Sequence, residues 1–387
     1  MKPSFYNFFY AINEMDQYIA YNSFSNALAL LSGEEYAAFQ RLSSNQPTNV
    51  SEDLLEALQK GSFLIDDNVD ELSLIRHRMN KARYFSYALG LTIAPTASCN
   101  FKCVYCYEKN NMKGGMMNKA VQDDLVKMVR SYAQYVKKLD ITWYGGEPLL
   151  ALDIIESLTA EFMKICDEFS LEYSASIITN GYLLTPDVAE RLTSCRIHSC
   201  QITLDGDRDT HNMQRPHKDG SGTFDVIIQN LKASSPLLTN IALRVNVSPN
   251  TPNAYTTVKK LVKEAGIVNT SVYSSPILDS NGCYPDGNIF TNESFYEEEY
   301  KELTESPDRQ SIMSKYPTLR FNACGADYIN SFVVNFNGDL YKCWSDIGCE
   351  ELCFGNIGSK HRKTDLEILY LKDDPTYDSV SVKPSST

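Results

Sequence analysis

The chain has 387 residues, of which 43% are hydrophobic and 22% charged, a composition typical of a globular protein with two or three domains. Its formal net charge of −13 argues against a nucleic-acid partner, because binding to a phosphate backbone needs a basic face. The first residues mix one early lysine with aromatic and acidic residues. This pattern is typical neither of a signal peptide nor of a membrane span. We therefore expect a cytoplasmic protein with no membrane partner, in which clustered cysteines are metal ligands rather than disulfides.

The amino-terminal part of the sequence, residues 1–85, predicts a small α+β domain. Three β-rich runs predict an antiparallel meander: SFYNFFYAIN, QYIAYN and ALALL. Helical patterns follow near residues 34–42 and 52–60, and a short run, SFLIDD, comes after them.

The central part, residues 86–280, alternates strand-like runs with helix-periodic segments. The six strand-like runs are LGLTIAP, ITWYG, SASIIT, QITLD, ALRVNV and SVYSS. This alternation predicts a parallel sheet with crossover helices. Six units are too few to close an eight-stranded barrel, so the predicted fold class is α/β, an open partial (β/α)6 barrel with its chemistry at the carboxyl ends of the strands.

The carboxyl-terminal part, residues 281–387, forms the third predicted domain. It begins with an irregular stretch rich in glycine, proline and asparagine. A predicted hairpin, FVVNFNGDLYKCW, then turns at Asn337-Gly338, and cysteines lie on both sides of it.

Three cysteines follow the first strand of the central series: Cys99, Cys103 and Cys106, with the spacing C-x3-C-x2-C. A cluster of four irons takes one terminal ligand per iron, usually a thiolate, so three cysteines leave one iron open to a small molecule. A structural zinc site would close with a fourth Cys or His at short spacing, and the next cysteine is 60 residues away. Zinc binding and simple packing remain the alternatives.

With Tyr105 before the third cysteine, this loop resembles the signature of the radical S-adenosylmethionine (SAM) enzymes. GGEP after the second strand, TNG after the third and TLDG at the end of the fourth follow in the order of that superfamily. The resemblance implies that Cys99, Cys103 and Cys106 bind a catalytic 4Fe–4S cluster. It also implies SAM contacts from Tyr105, Gly145, Gly146, Glu147, Pro148, Thr179, Asn180, Thr203, Arg215 and Asn246.

The resemblance assigns a role to several of these groups. The glycines of GGEP would let the backbone approach the methionine amine of SAM. The Thr203 hydroxyl and the Arg215 guanidinium would contact the methionine carboxylate. The implied chemistry is reductive cleavage of SAM to a 5′-deoxyadenosyl radical that removes a substrate hydrogen, with the electron supplied by a reductase, a flavodoxin or a ferredoxin.

The carboxyl-terminal cysteines resemble part of another motif. Cys324, Gly338 and Cys343 fit the C-x(9–15)-G-x4-C pattern of the SPASM and Twitch extensions, which carry auxiliary iron–sulfur clusters in relatives. Cys349 and Cys353 follow, so four thiolates are candidates for one auxiliary 4Fe–4S cluster, and unliganded thiols around a hairpin are the alternative. A full SPASM extension continues with further cysteines, and none follows Cys353, so we predict a Twitch or short SPASM-like region.

Four further cysteines and one histidine are given other roles. Cys166, Cys195 and Cys200 are predicted to pack as small buried hydrophobes. Cys283, in the loop NGCYPDG, is interpreted as either a surface thiol or a ligand or substrate-facing group, and His211 is predicted to order its loop.

The substrate class follows from two features of the resemblance. Sulfatase-maturating relatives have an aspartate after the cysteine that matches Cys343, whereas this chain has Trp344, so formylglycine formation is disfavoured. The amino-terminal domain resembles the peptide-recognition domains of ribosomal-peptide maturases, which bind a peptide as an added strand, although a structural cap is the alternative. We therefore predict a maturase that crosslinks or otherwise modifies a precursor peptide. An enzyme for a small metabolite and a truncated, catalytically silent peptide-binding protein are the other candidates.

Overall fold

The computed structural model describes residues 1–359 and 363, apart from residues 13, 45, 47–48, 85–86, 109–113, 280–283, 285–286, 306–312, 314 and 322–323. The chain divides into two units. The first comprises Met1–Ala82 with Asp308–Ala323, and the second comprises Arg83–Pro307 with Cys324–Thr387.

The first unit contains the predicted meander and helices. Its strands are β1 (Lys2–Pro3), β2 (Asn7–Ile12), β3 (Gln17–Asn22), β4 (Ala27–Ser32) and β5 (Leu64–Ile65). Its helices are α1 (Gly33–Ser43), α2 (Glu52–Lys60) and α3 (Glu71–Tyr84), the last of which runs two residues beyond the unit. The sheet has the order β2-β3-β4 with antiparallel pairing, and β1 pairs antiparallel with β5. The α3 helix was not predicted.

Alternation along the meander separates two faces of its sheet. On one face Phe9 packs against Phe39 of α1 and Phe63, and this contact forms the core of the unit. On the other face Phe8, Tyr10 and several leucines are exposed. Ser32 begins α1 with a capping box, because its hydroxyl accepts from the Glu35 N–H while the Glu35 carboxylate accepts from the Ser32 N–H.

The second unit is built on one nine-stranded sheet of order β11-β10-β9-β8-β7-β6-β12-β13-β14. Its strands are β6 (Ala88–Ile93), β7 (Lys138–Trp143), β8 (Glu172–Thr179), β9 (Ile197–Thr203), β10 (Asn240–Val247), β11 (Thr270–Pro276), β12 (Ser331–Val334), β13 (Asp339–Tyr341) and β14 (Gly355–Asn356). Its helices are α4 (Lys119–Ala133), α5 (Leu152–Phe169), α6 (Pro186–Ser194), α7 (Arg208–Gln214), α8 (Phe224–Ser234), α9 (Ala254–Glu264) and α10 (Asn292–Glu305).

The strands β6 to β11 confirm the predicted open (β/α)6 arrangement. Each is parallel to its neighbours in this series, and helices connect successive strands. In the described part of the chain β6 pairs with β12 instead of with β11, so the barrel does not close.

The carboxyl-terminal hairpin extends this sheet. The β12 strand is parallel to β6 and antiparallel to β13, and the predicted turn at Asn337-Gly338 connects β12 to β13. The hairpin thus shares a sheet with the barrel strands. The division of the chain into domains 1–85, 86–280 and 281–387 stays a prediction.

The core of the second unit lies between the sheet and its helices. Trp143, Phe162 and Phe332 are among its largest fully buried side chains. Cys166, Cys195 and Cys200 are buried in the same core, which confirms their predicted packing role. Across the described ranges, none of the helices is both long enough and apolar enough to cross a membrane.

Candidate active site at the carboxyl ends of the strands

A cleft with a volume of about 350 Å³ opens at the carboxyl ends of the parallel strands. Strands β6 to β11, or the loops that follow them, all contribute to its lining. The predicted site residues in this lining are Cys99, Cys103, Tyr105, Cys106, Gly145, Gly146, Thr179, Asn180, Thr203, Arg215 and Asn246. Glu147 and Pro148 are buried outside it.

The loop that carries the three cysteines is fixed by backbone hydrogen bonds to the segment after α7. The Lys102 N–H donates to the Pro216 carbonyl at 2.9 Å, and the Val104 N–H donates to the Gln214 carbonyl at 3.0 Å. Phe101 forms an antiparallel bridge with His217. The same contacts therefore bring Arg215 to the cysteine loop.

The three cysteines share a poorly solvated environment. Burial raises the pKa of Cys99 to about 12 and that of Cys106 to about 11, and it also raises the pKa of Cys103. Such thiols are poor free nucleophiles, because the thiolate forms only when a cation replaces the proton. In the described part of the chain no three His, Cys, Asp or Glu side chains are arranged to hold a single metal ion. A 4Fe–4S cluster takes each thiolate at a different iron, so it does not need three thiols that converge on one ion.

The two glycines of GGEP are required by the packing of their own loop. A Cβ atom on Gly145 would lie 2.6 Å from the Thr96 carbonyl oxygen, and Gly145 also has φ +116°. A Cβ atom on Gly146 would lie 2.4 Å from the Ser98 carbonyl oxygen. Both glycines thus allow this loop to approach the backbone that leads into Cys99, while they also line the cleft.

Glu147 connects two of the predicted motifs. Its fully buried carboxylate accepts hydrogen bonds from the Thr179 hydroxyl at 2.7 Å, the Asn180 N–H at 2.8 Å and the Leu149 N–H at 3.0 Å. Burial raises the pKa of this carboxyl, and the hydrogen bonds partly offset the shift. The side chain thus ties GGEP to TNG, and the contact of Glu147 with SAM stays a prediction.

Asn180 extends this connection to the cysteine loop. Its side-chain N–H donates to the Asn100 side-chain oxygen at 2.7 Å, and its own oxygen accepts from the Tyr182 N–H at 3.0 Å. Hydrogen bonds therefore connect three segments around the cleft that are distant in sequence: the cysteine loop, GGEP and TNG.

A buried polar network surrounds the Tyr105 hydroxyl. This hydroxyl donates to the Asp205 carboxylate and accepts from the Arg215 guanidinium at 2.6 Å and from the Asn246 side chain at 2.9 Å. Asp205 also accepts from the Asn246 N–H at 2.9 Å, and its burial raises its pKa. Tyr105 thereby fixes the direction in which Arg215 and Asn246 face the cleft.

Arg215 has a buried donor without a hydrogen-bond partner. It is buried and lines the cleft, and its Nε atom has no hydrogen-bond partner in the structure. A buried guanidinium donor without an acceptor is costly, and planar carboxylates are well matched to guanidinium groups. The three thiols, this open donor and the cleft volume therefore fit a SAM-binding cluster.

His211 has the structural role that its loop predicts. Its Nδ1 atom accepts from the Asp205 N–H at 3.1 Å, and its Nε2 atom contacts the Thr223 hydroxyl at 3.1 Å. That hydroxyl donates to the Arg215 carbonyl at 2.7 Å, so the proton of the neutral imidazole lies on Nε2. Burial lowers the pKa of His211 to about 3, and the ring is neutral at physiological pH.

Three charged residues near the cleft were not singled out by the sequence. Glu108 and Arg244 line the cleft, and Asp205 supports it from below through Tyr105. Burial raises the pKa of Glu108 to about 8, and its Oε1 atom has no hydrogen-bond partner. The sequence did hold signals for two of them. Glu108 lies two residues after Cys106, and Arg244 lies two positions before Asn246, on the same face of β10.

The four carboxyl-terminal cysteines lie around the hairpin, where all but Cys324 are partly buried. Burial raises the pKa of Cys343, and the charges of Asp346 and Cys324 add smaller contributions in the same direction. Burial raises the pKa of Tyr341, and the charges of Cys353 and Cys349 add to this shift. The Cys353 thiol donates to the Gly355 carbonyl at 3.1 Å. A common ligand set for all four stays a prediction, and Cys283 lies outside the described residues.

Comparison with known proteins gives a family for this site. Residues 93–252 match the family model described as the Radical SAM superfamily. The cysteine-type anaerobic sulfatase-maturating enzyme of Clostridium perfringens is 29% identical over 184 residues, which cover 46% of this chain and 49% of that protein. The probable GTP 3′,8-cyclase of Archaeoglobus fulgidus is 33% identical over 130 residues, covering 33% of this chain and 39% of that protein. The chain thus spans about half or less of these curated relatives.

Solved structures share the fold. The structure of anSMEcpe with bound AdoMet and the Kp18Cys peptide has a TM-score of 0.59 at 22% identity, over 74% of this chain and 84% of that one. Streptococcus suis SuiB bound to the precursor peptide SuiA has a TM-score of 0.53 at 16% identity, over 100% of this chain and 92% of that one. Residues 93–252 therefore match a radical SAM domain, and the chain shares the fold of these solved structures.

Proposed function

We propose that this protein modifies a ribosomally made precursor peptide by radical chemistry, installing a crosslink or another carbon-centred change. The observation that carries the proposal is the cleft, in which three cysteines, the open donor of Arg215 and the TNG and TLDG motifs meet. Supporting it, a structure of similar fold, SuiB, is bound to a precursor peptide.

The residues of the cleft have distinct roles in this proposal. Cys99, Cys103 and Cys106 hold the cluster, while Arg215 and the Thr203 hydroxyl bind the methionine carboxylate of SAM. When bound, the cluster and SAM supply the 5′-deoxyadenosyl radical that removes hydrogen from the substrate. Tyr105 keeps the Arg215 guanidinium in place through its hydroxyl.

The peptide partner is assigned to the first unit. In its described sheet β2 and β4 each have one neighbouring strand, which leaves backbone groups for an added strand. A precursor peptide that pairs there would be held while its modified residue enters the cleft. The alternative role of this unit is structural.

Two further assignments belong to the same proposal. Cys324, Cys343, Cys349 and Cys353 provide ligands for an auxiliary 4Fe–4S cluster. A cytoplasmic reductase, flavodoxin or ferredoxin provides the electron.

A second candidate function is radical chemistry on a small molecule. It is favoured by the similarity to a GTP 3′,8-cyclase over one third of the chain. The two candidates share the cleavage of SAM and differ in whether a peptide accelerates it.

The experiment that tests the proposal measures 5′-deoxyadenosine formed from SAM. The full chain is reconstituted anaerobically with iron and sulfide, reduced with dithionite and incubated with a peptide encoded beside the gene. We expect 5′-deoxyadenosine from the wild type and none from a variant with Cys99, Cys103 and Cys106 all changed to alanine. Iron that remains in this variant measures the auxiliary cluster.

The controls separate the candidates. A scrambled peptide of equal composition is expected to leave SAM cleavage at the peptide-free rate. Absence of 5′-deoxyadenosine in every sample with a fully loaded cluster would contradict radical chemistry and favour a silent peptide-binding protein. Equal rates with both peptides would favour a small-molecule substrate.

A further inference from the structure

Two aromatic rings form part of the wall of the cleft. Tyr144, which follows β7, stacks on Trp344 with ring centroids 5.5 Å apart and an interplanar angle of 28°. Both residues line the cleft. Tyr144 is 9% exposed, whereas Trp344 is 42% exposed, so the tyrosine supports the tryptophan from behind.

Trp344 shares the lining of the cleft with both apolar and polar side chains. The same lining includes Ile178, Ile277 and Leu278, and Leu278 is 59% exposed. Ligand sites in proteins are commonly lined by apolar and aromatic side chains with few polar groups. An indole ring held by stacking loses little entropy when it binds a further apolar group.

The charges of the cleft oppose a cationic side chain. Its charged lining residues are Arg215, Arg244 and Glu108, two guanidinium groups and one carboxyl. Arg244 donates to the side chains of Asn246 and Ser275 at 2.8 Å each, and both of these partners are uncharged. With Arg215 assigned to the methionine carboxylate of SAM, a substrate lysine or arginine would meet the like charge of Arg244 here.

We propose that Trp344, supported by Tyr144, determines substrate specificity by binding an uncharged apolar or aromatic side chain of the peptide, and that lysine and arginine are disfavoured there. This inference rests on the proposed function and deepens it by naming the class of side chain that enters the cleft. Trp344 contacts the substrate in this assignment and takes no part in cleaving SAM.

Intrinsic fluorescence tests the assignment directly. The chain has two tryptophans, and Trp143 is fully buried, so Trp344 is the exposed fluorophore. The full chain with added SAM, before cluster loading, is titrated with acetyl-Gly-Xaa-Gly-amide, where Xaa is Phe, Leu or Lys. We expect the Phe and Leu probes to shift the emission and to protect Trp344 from acrylamide quenching. Their half-saturating concentrations should be about 10-fold lower than that of the Lys probe.

Substitutions identify the residue responsible. Calorimetry should show that Trp344→Ala binds the Phe probe about 10-fold more weakly than the wild type does. Trp344→Phe keeps an aromatic ring against Tyr144, so it should retain most of the affinity. Tyr135→Ala is the matched control, because Tyr135 is 75% exposed and lies outside the cleft. Equal or tighter binding of the Lys probe, equal losses in Trp344→Ala and Tyr135→Ala, or no binding of any probe would overturn the proposal.

A parallel assay keeps this proposal separate from the proposed function. SAM cleavage without side-chain selectivity at Trp344 would refute the specificity role alone. Selective binding at Trp344 in a protein that never forms 5′-deoxyadenosine would refute the radical function alone.

Discussion

Tyr105 shows how one hydroxyl can organise a buried site. The hydroxyl accepts hydrogen bonds from Arg215 and Asn246 and donates one to Asp205. None of these partners is solvent-exposed, so water would not readily replace a lost hydrogen bond.

Changing Tyr105 to phenylalanine should therefore affect both stability and ligand binding. We expect a loss of about 1–3 kcal/mol in the free energy of unfolding, because Asp205 loses one of its donors and Arg215 loses an acceptor. SAM should bind about 10-fold more weakly, since Arg215 is no longer held toward the cleft. Denaturant unfolding and equilibrium dialysis measure the two effects, and Tyr135→Phe on the surface is the control. Unchanged SAM affinity in Tyr105→Phe would contradict a positioning role.

His211 makes the stability of the protein depend on pH. Its pKa falls from 6.5 to about 3 on burial, so the folded ring stays neutral while the unfolded ring binds a proton below pH 6.5. The unfolded state then binds more protons, and the free energy of unfolding falls as pH falls, by up to about 1.4 kcal/mol per pH unit from this group.

The measurement is denaturant unfolding of wild type and His211→Asn between pH 7 and pH 5. We expect a shallower pH dependence in the variant, because asparagine keeps a side-chain acceptor for the Asp205 N–H but does not titrate. Identical slopes in both proteins would show that His211 does not control this dependence.

Among the secondary-structure elements, the carboxyl-terminal hairpin depends on one glycine. Gly338 has φ +86°, and a Cβ atom there would lie 2.9 Å from the Ile357 Cγ1 atom. Gly338→Ala should lower the free energy of unfolding by about 1–2 kcal/mol. It should also reduce the iron retained when Cys99, Cys103 and Cys106 are alanine, because the hairpin carries Cys343 at its end.

A second glycine offers the matched control for this change. Gly220 has φ +88° and nothing within 4 Å of the added Cβ atom, so Gly220→Ala isolates the backbone cost. Thermal unfolding and iron analysis compare the two variants. Equal losses in both would mean that the packing of Gly338 on Ile357 contributes nothing measurable.

Elements with a local signal could be predicted from the sequence, and those defined by distant partners could not. The six barrel strands carry β-rich runs bounded by turns, and GGEP and the cysteine loop are contiguous motifs. The α3 helix, ELSLIRHRMNKARY, lacks a clear apolar face, and Leu72 and Leu74 are exposed on it. The pairing of β12 with β6 joins segments more than 200 residues apart, and no pattern within either strand specifies it.

The residues of the site also differ in whether a local sequence signal predicts them. Cysteine spacing predicts three cluster ligands, because a loop after one strand carries all three cysteines. Asp205 and Arg244 acquire their roles from partners on other segments, Tyr105 and Ser275 respectively. The hydrogen bonds of Glu147 could not be predicted for the same reason, since Thr179 and Asn180, which donate to its carboxylate, lie at the end of another strand.

On the scale of the whole molecule, the two units divide the tasks of binding and chemistry in our proposal. The cleft belongs entirely to the second unit, and the meander belongs to the first. A peptide bound by β-strand addition gains main-chain hydrogen bonds that do not depend on its side chains at every position. Such a division would let residues 1–82 select the peptide while Trp344 selects the residue to be modified.

Hydrogen exchange with mass spectrometry tests this division. When a peptide encoded beside the gene is added to the full chain with SAM, we expect slower amide exchange in β2 or β4, because an added strand accepts hydrogen bonds from edge N–H groups. Exchange in the central β3 strand should change little, since both of its neighbours are already in place. The scrambled peptide controls for nonspecific contact with the exposed Phe8 and Tyr10 face. Protection confined to residues 83–307 would assign peptide binding to the second unit and leave the first with a structural role.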